Sequence, residues 1–476
     1  MKPKNPVYCP MNAYSLLALF WFFSFSCLWA QVEDPDSTFR VDDNTSAIAA
    51  YDLEGCLQYA LRYSESLRLG ELDIRAAQAD VGENIARGLP QVSAEASFQD
   101  NFKIQRSFVP AFLFDDEAPE NLFVPVQFQP KYAGSASITL QQLIFDFSYL
   151  IGLRAARMYE DLTRTQTQLN KVEIVANVSK AYYAVLVARE RIGLLEANYR
   201  RLDTLLRETR ALYENGFSEL LDVQRIEVAY NNILIEKKKA EGAVLLTEQV
   251  LKFQMGMPGR DSLAVIGALN DIRLDENLLE VAGQASPKSR IEYQVLEKQK
   301  AIREVGLSYA RSLYYPSFSG VVSYGTNTGV NSFGDWWRFN ERWFGFGFYG
   351  FQLNIPIFDG MKRRHTLSKY QIDIDRAEIQ MAQFERVSTF EIDQARITLS
   401  ESILNLENQK RNMELAAEVA RVTKIKYQNG VGSNLEVVEA ESAYKEAETN
   451  YYATLYEALV RKVDLEKAAG TLYNEQ

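Results

Sequence analysis

The chain has 476 residues, of which 47% are hydrophobic and 24% charged, with 26 Tyr and 26 Phe and a formal net charge of −11. That composition carries a packed core and argues against disorder, and an acidic chain lacks the basic surface that non-specific nucleic-acid binding requires. Its aromatic content of 12% is high for a plain coiled-coil protein and ordinary for one that meets lipid headgroups.

The chain opens with the pattern of an export signal. Lys2 and Lys4 precede an apolar stretch from Ser15 to Trp29, and Ala30–Gln31 is the expected cleavage junction. A lipidated Cys27 is the competing reading, but Ser24, Phe25 and Ser26 make a poor lipoprotein box. Cleavage would remove Cys9, Cys27 and both lysines, leaving 50 basic against 63 acidic residues, a net charge of −13. Cys56 alone would remain, so no internal disulfide is expected. Beyond residue 30 no run of 18 apolar residues occurs. Any membrane passage is therefore expected to be a β-barrel.

From residue 51 onward the chain repeats itself. Tyr213–Val223 (YENGFSELLDV) returns 214 residues later as Tyr427–Val437 (YQNGVGSNLEV). The same offset pairs Ala181 with Ala395 and Gly256 with Gly470. Pro90–Phe98 (PQVSAEASF) returns as Pro316–Tyr324 (PSFSGVVSY), and Ile144–Asp146 as Ile357–Asp359. The expected organisation is a signal at 1–30, a linker at 31–50, a first repeat at 51–259, a linker at 260–287 and a second repeat at 288–476. Each repeat reads helix, strand, strand, very long helix, helix.

The strands come first in each half. Gln91 to Phe102 alternates Val92, Ala94, Ala96 and Phe98 against Gln91, Ser93, Glu95, Ser97 and Gln99. Ser317 to Tyr324 sets Phe318, Val322 and Tyr324 against Ser317, Ser319 and Ser323. Residues 132–145 and 343–358 are the expected return strands, long enough for tilted membrane strands. Four strands cannot close a barrel, for which about eight is the practical minimum, and an open edge cannot sit in lipid. Oligomerisation follows, and three copies would supply twelve strands.

The helices are long because nothing interrupts them: no proline occurs from 131 to 257 or from 357 to 476. Residues 149–214 and 361–428 could each run close to 100 Å at 1.5 Å per residue. Their apolar spacing is seven: Val178, Val185, Ile192, Tyr199, Leu206 and Tyr213 in the first half, Ile392, Leu399, Leu406, Met413, Ala420 and Tyr427 in the second. That spacing predicts coiled-coil packing.

Taken together these segments resemble the TolC-like outer-membrane efflux family over almost the whole mature chain. Tyr51–Leu61 (YDLEGCLQYAL) is similar to its first helix, Arg87–Ser97 (RGLPQVSAEAS) to its helix-to-strand junction and Leu353–Gly360 (LNIPIFDG) to its strand-to-helix return. The resemblance implies a mainly α fold with membrane β: a homotrimer with a twelve-stranded β-barrel in outer-membrane lipid above a long α-helical barrel in the periplasm. It implies a passive conduit of a tripartite efflux or type I secretion-like system, partnered by a periplasmic adaptor (membrane fusion) protein and an inner-membrane transporter. It implies a periplasmic gate as well, with Tyr427 at the constriction, Asp222 beside it, and Glu436 and Glu439 as an acidic ring. An arginine that locks the family's gate is replaced by Gly432. The Asn215–Gly216 and Asn429–Gly430 turns fall where the family has hairpin tips that meet the adaptor.

Other signals are set aside. Gly345–Gly350 (GFGFYG) matches a dinucleotide-binding pattern, but a further strand at Phe351–Ile357, not a helix, is expected after it. His365 lacks clustered metal-ligand partners and reads as a solvated helix residue. Neither an enzyme activity nor a cofactor is expected. The alternative is a trimeric structural or adhesive coiled-coil protein of the envelope, which would not need a strand–loop–strand insertion in both halves.

Overall fold

The computed structural model describes residues 49–473 except 115–118, 120, 268 and 270–276. The expected leader, Cys27 and the Ala30–Gln31 junction lie outside the described residues. Two compact units are present: a strand unit of residues 86–146 and 315–355, and a helical unit holding the rest of the described chain.

In chain order the elements are β1 (Ala49–Tyr51), α1 (Leu53–Tyr63), α2 (Glu65–Ala86), β2 (Gln91–Asp100), β3 (Ser107–Pro110), β4 (Phe123–Val126) and β5 (Tyr132–Phe145). There follow α3 (Phe147–Glu214), α4 (Leu220–Met255), β6 (Leu263–Val265), α5 (Asn277–Gly283), α6 (Ile291–Ser312) and β7 (Ser317–Val330). The last are α7 (Phe333–Trp336), α8 (Phe339–Arg342), β8 (Trp343–Asn354), α9 (Lys362–Gln428) and α10 (Asn434–Ala469).

The helical unit is built from two long antiparallel hairpins. α3 has 68 residues and α9 has 67, and α4 and α10 have 36 each. Each long helix spans roughly 100 Å at 1.5 Å per residue. α3 packs on α4 and α9 on α10, α6 lies against both α3 and α9, and α10 against α3. Heptad positions along both long helices face these contacts: Val178, Val185 and Leu206 are buried on α3, and Ile392, Leu399 and Ala420 on α9. At the end of the bundle where α1 docks, Cys56 and Ala60 join Val178, Val185, Leu251 and Leu459 in one apolar cluster. Asp52 caps α1, its Oδ1 accepting from the Gly55 N–H at 2.8 Å.

The segment expected as a linker at 260–287 carries structure of its own. β6 pairs in parallel with β1, tying residues 263–265 to the start of the described chain. Ala282 of α5 is buried with Leu399 and Leu465. These elements are too short to show a periodicity, so only long-range pairing reveals them.

The strand unit is a four-stranded antiparallel sheet in the order β2-β5-β7-β8. Its pairings sort the side chains into two faces. One bears Val92, Ala94, Ala96 and Phe98, opposite Leu140, Ile138, Ala136 and Gly134 of β5, and continues through Val322 and Tyr324 to Tyr349 and Phe351. The other bears Ser93, Glu95 and Ser97 opposite Thr139, Ser137 and Ser135. Hydroxyl pairs Ser97–Ser135 at 2.8 Å and Thr139–Ser323 at 3.0 Å confirm that these share a side. Every residue of β2 is exposed on both faces, and β8 nearly so.

β7 continues six residues beyond the alternation expected to end at Tyr324, and β8 stops at Asn354 rather than 358 because Pro356 cannot donate to a ladder. The Gly345–Gly350 pattern lies wholly within β8, so no helix opens on it. The β2–β5 connection carries a small ribbon, β3 with β4. The β7–β8 connection folds back on the apolar face. The Trp336 ring stands edge-on to Phe98, and a Cβ at Gly134 would come within 2.7 Å of the Trp336 indole nitrogen. Trp343 Nε1 donates to the Trp336 carbonyl at 2.7 Å. Tyr349 and Phe351 lie further down the same face, so aromatic side chains flank a band of small aliphatic ones.

Candidate functional site

The α3–α4 and α9–α10 turns are built alike. In each, an asparagine ends the long helix and a glycine follows in the left-handed conformation, Gly216 at φ +76° and Gly430 at φ +77°. A Cβ is disfavoured there, and glycine ends the helix without strain. The Asn215 amide donates to the Ala211 carbonyl at 2.7 Å, and the Asn429 amide to the Ile425 carbonyl at 2.8 Å. Asn215, Gly216, Asn429 and Gly430 are all exposed. So are the next residues, Phe217 and Val431, each at 81%. The sequence signal for this apolar pair is an apolar residue straight after Asn-Gly in both halves.

The two hairpins of one chain meet just above these turns. Leu202, Leu206, Val223 and Ile226 of the first hairpin pack with Val437 of the second, and Tyr427 and Val438 lie against that cluster. The Tyr427 hydroxyl meets Oγ1 of Thr209, which is fully buried, at 3.2 Å. Asn434 Nδ2 donates to the Asp222 carbonyl at 2.9 Å. Higher up, Asn198 Nδ2 donates to Glu448 Oε2 at 3.0 Å with both residues buried, and Lys445 pairs with Glu236 at 2.6 Å.

Of the residues singled out from the sequence, Tyr427 and Asp222 thus lie in one neighbourhood. Asp222 does not bond Tyr427: its carboxylate accepts from Ser218 Oγ at 3.2 Å. Glu436 and Glu439 occupy the first two turns of α10, both exposed, while Val437 and Ala440 between and after them turn inward. Ser433 caps that helix, its Oγ accepting from the Glu436 N–H at 3.2 Å. The result is an acidic stripe at the positive end of a helix, facing away from the chain's own core. Gly432 sits tight in the turn. A Cβ there would stand 3.1 Å from the Tyr427 backbone nitrogen and 3.2 Å from the Lys426 Cβ. A larger residue at 432 would force the turn open by a few tenths of an ångström. His365 is exposed in the first turn of α9.

Two further surfaces are apolar and uncovered in the single chain. Phe390, Ile397 and Leu404 follow one another at heptad spacing on α9 and are 65%, 61% and 59% exposed. Val228 and Ile235 on α4 do the same at 60% and 53%. A second coiled-coil seam with no partner in its own chain marks a contact surface. Among the described residues no helix is long and apolar enough to cross a membrane.

The sequence matches the family model described as outer membrane efflux protein over residues 56–257 and 294–471. The outer membrane protein TolC of Vibrio cholerae is 21% identical over 345 residues, covering 71% of this chain and 77% of its own length. The probable efflux pump outer membrane protein TtgC of Pseudomonas putida is 24% identical over 437 residues, 89% of this chain and 84% of its own. Among solved structures, CusC superposes with a TM-score of 0.67 at 17% identity over 88% of this chain and 92% of that one. VceC of Vibrio cholerae gives 0.66 at 15%, over 88% and 96%. At such identities the superpositions speak to the fold, which is mostly helical and shared with outer-membrane channels.

Proposed function

Because the chain belongs to the outer membrane efflux protein family, we propose that three copies assemble into one conduit, each giving four strands to a twelve-stranded barrel and two helical hairpins to a helical tunnel. The protein is an outer-membrane efflux channel, and its family is one of conduits rather than catalysts.

One observation carries the assembly: among the described residues the β2-β5-β7-β8 sheet has two free edges, and across β2, β5 and β7 it has a largely apolar and a largely hydroxylated face. Four strands cannot curl on themselves, and unpaired edges cannot remain in hydrocarbon. Repeating the sheet around a threefold axis pairs β8 of each copy with β2 of the next and turns the apolar face to lipid. The exposed seam of Phe390, Ile397 and Leu404 then finds a partner helix in a neighbouring copy. An adhesive stalk would leave this two-faced sheet without a role.

In this reading the tunnel narrows at the hairpin turns. Tyr427 is the constriction, Asp222 lies beside it, and Glu436 and Glu439 form a ring of like charges around the axis. Asn215, Gly216, Asn429 and Gly430, with exposed Phe217 and Val431, are the surface offered to a periplasmic adaptor, which links the channel to an inner-membrane transporter. Residues 51–259 and 288–476 are two copies of one design, joined through 260–287, and the export signal is removed at Ala30–Gln31. Detergent extraction, native mass spectrometry and planar-bilayer recording test the assembly together. A trimer that conducts is the expected result; a freely soluble, non-conducting monomer would overturn it.

A further inference from the structure

β8 departs from the pattern of the other three strands. On β2, β5 and β7 most of the larger apolar side chains share one face, and the opposite face carries mainly hydroxyls and amides, with Leu143 and Val321 among them. β8 instead places Phe344, Phe346 and Phe348 on the hydroxylated face, opposite Asn327, Gly325 and Ser323, and small Gly345 and Gly347 on the apolar one. The register is pinned by two glycine–aromatic crossings. A Cβ on Gly325 would lie 2.6 Å from the Ala136 carbonyl oxygen, 2.7 Å from Ser137 Cβ and 2.9 Å from Phe346 Cζ, and one on Gly347 would lie 3.1 Å from Tyr324 Cδ2. A slip by one residue would drive a side chain into a ring at both places.

Phe346 is accounted for by that lock and is the least exposed of the three, at 36%. Phe344 and Phe348 lock nothing, and they remain 66% and 56% exposed. On the same face, at the level of Phe346 through the pairings Glu95–Ser137–Gly325–Phe346, stands Glu95. It is the only ionisable side chain on that face of the four strands. Bare phenyl rings on a surface with a carboxylate and no base are complementary to one chemistry: a cation that carries its own apolar rings.

We propose that Phe344, Phe348 and Glu95 form a contact for aromatic organic cations on the inner wall of the barrel. It rests on the conduit reading, which makes the hydroxylated face the water-filled side. The closing of β8 on the next copy's β2 brings each phenyl pair beside a neighbour's Glu95 strand. Passing cations meet the ring faces and the carboxylate in turn, each contact weak enough to release them.

The test uses the full-length channel in planar bilayers, with tetraphenylphosphonium and the ring-free tetraethylammonium as probes. The parent should be blocked more strongly by tetraphenylphosphonium. Phe344→Leu with Phe348→Leu, which keeps apolar bulk and removes the ring quadrupole, should weaken that preference about two- to fivefold, and Glu95→Gln by a similar factor. Phe344→Trp with Phe348→Trp should retain it. Equal block of the parent by both probes, or full preference in the leucine variant, overturns the contact while leaving the conduit standing. A parent that does not conduct overturns both. The side is checked independently: a membrane-impermeant maleimide should label Phe348→Cys in outer membranes and spare Tyr349→Cys. Cys56 stays silent, because burial pushes its thiol up to about 12. The reverse labelling would place the rings in lipid and end the proposal.

Discussion

The hydroxyls of Tyr427 and Thr209, 218 residues apart in the chain, lie 3.2 Å from each other where its two hairpins converge. Thr209 is fully buried, so the bond joins the hairpins from within their apolar seam. Changing Tyr427 to Phe removes one hydroxyl and leaves the ring, at a cost of about 1 kcal/mol. Tyr427→Ala removes the bulk as well. Resting conductance in bilayers is expected to rise for both variants, more for alanine. An unchanged value for Tyr427→Ala would show that this side chain does not narrow the tunnel.

Glu436 and Glu439 face away from the chain's own core. Drawn round a threefold axis, their carboxylates would repel one another and attract counter-ions. The pore should prefer cations, and divalent or trivalent ions added from the periplasmic side should block it. Replacing both residues by alanine is expected to reduce block and preference together, without loss of the trimer. Full retention of both in recordings of the double variant would place these residues elsewhere.

The seam of Phe390, Ile397 and Leu404 gives a sharper test of assembly. Ile397 is 61% exposed in the single chain, so an aspartate there costs the protomer fold little. In a trimer the same change would bury an unpaired carboxylate, an expensive outcome. Ile397→Asp should shift native mass spectra from trimer to monomer while the helical circular-dichroism signal persists. An intact trimer would remove this stripe from the interface.

Among the described carboxyls of the helical unit, Glu466, near the end of α10, is the one whose pKa is raised, whereas those of Glu160, Glu196, Asp359 and Glu418 are lowered by their arginine or lysine partners. Burial raises its pKa, opposed only in part by Lys462. A carboxyl raised in the folded state favours folding while it is protonated. Its contribution is therefore complete below the ordinary glutamate range and is lost as pH rises through the raised value. Glu466→Gln should leave the thermal midpoint in detergent unchanged at pH 4 and raise it at pH 8. Equal shifts at both pH values would show that ionisation is not the cause.

Much of this was legible in the residues. Uninterrupted heptads and the absence of proline specify long helices, because helix propagation continues wherever no residue removes a donor or a seam. The two Asn-Gly dipeptides locate the hairpin turns, since glycine enters the left-handed region that ends a helix. Alternation, strict in β2 and broken only at Val321 between Ser317 and Tyr324, marks β2 and β7 as two-faced strands.

Other features depended on contacts between distant segments. Thr209 as the partner of Tyr427, and β6 beside β1, arise from pairings that no local period encodes. Gly432 reads as a missing arginine in sequence, yet in space it is a position crowded by the backbone of Tyr427. The run Phe344–Phe348 alternates phenylalanine with glycine, which says that the strand has two faces but not which one the rings occupy. Only pairing with β7, where Gly325 admits Phe346 and Gly347 admits Tyr324, places them among the hydroxyls. A period of two carries no direction, and the direction comes from the neighbouring strand.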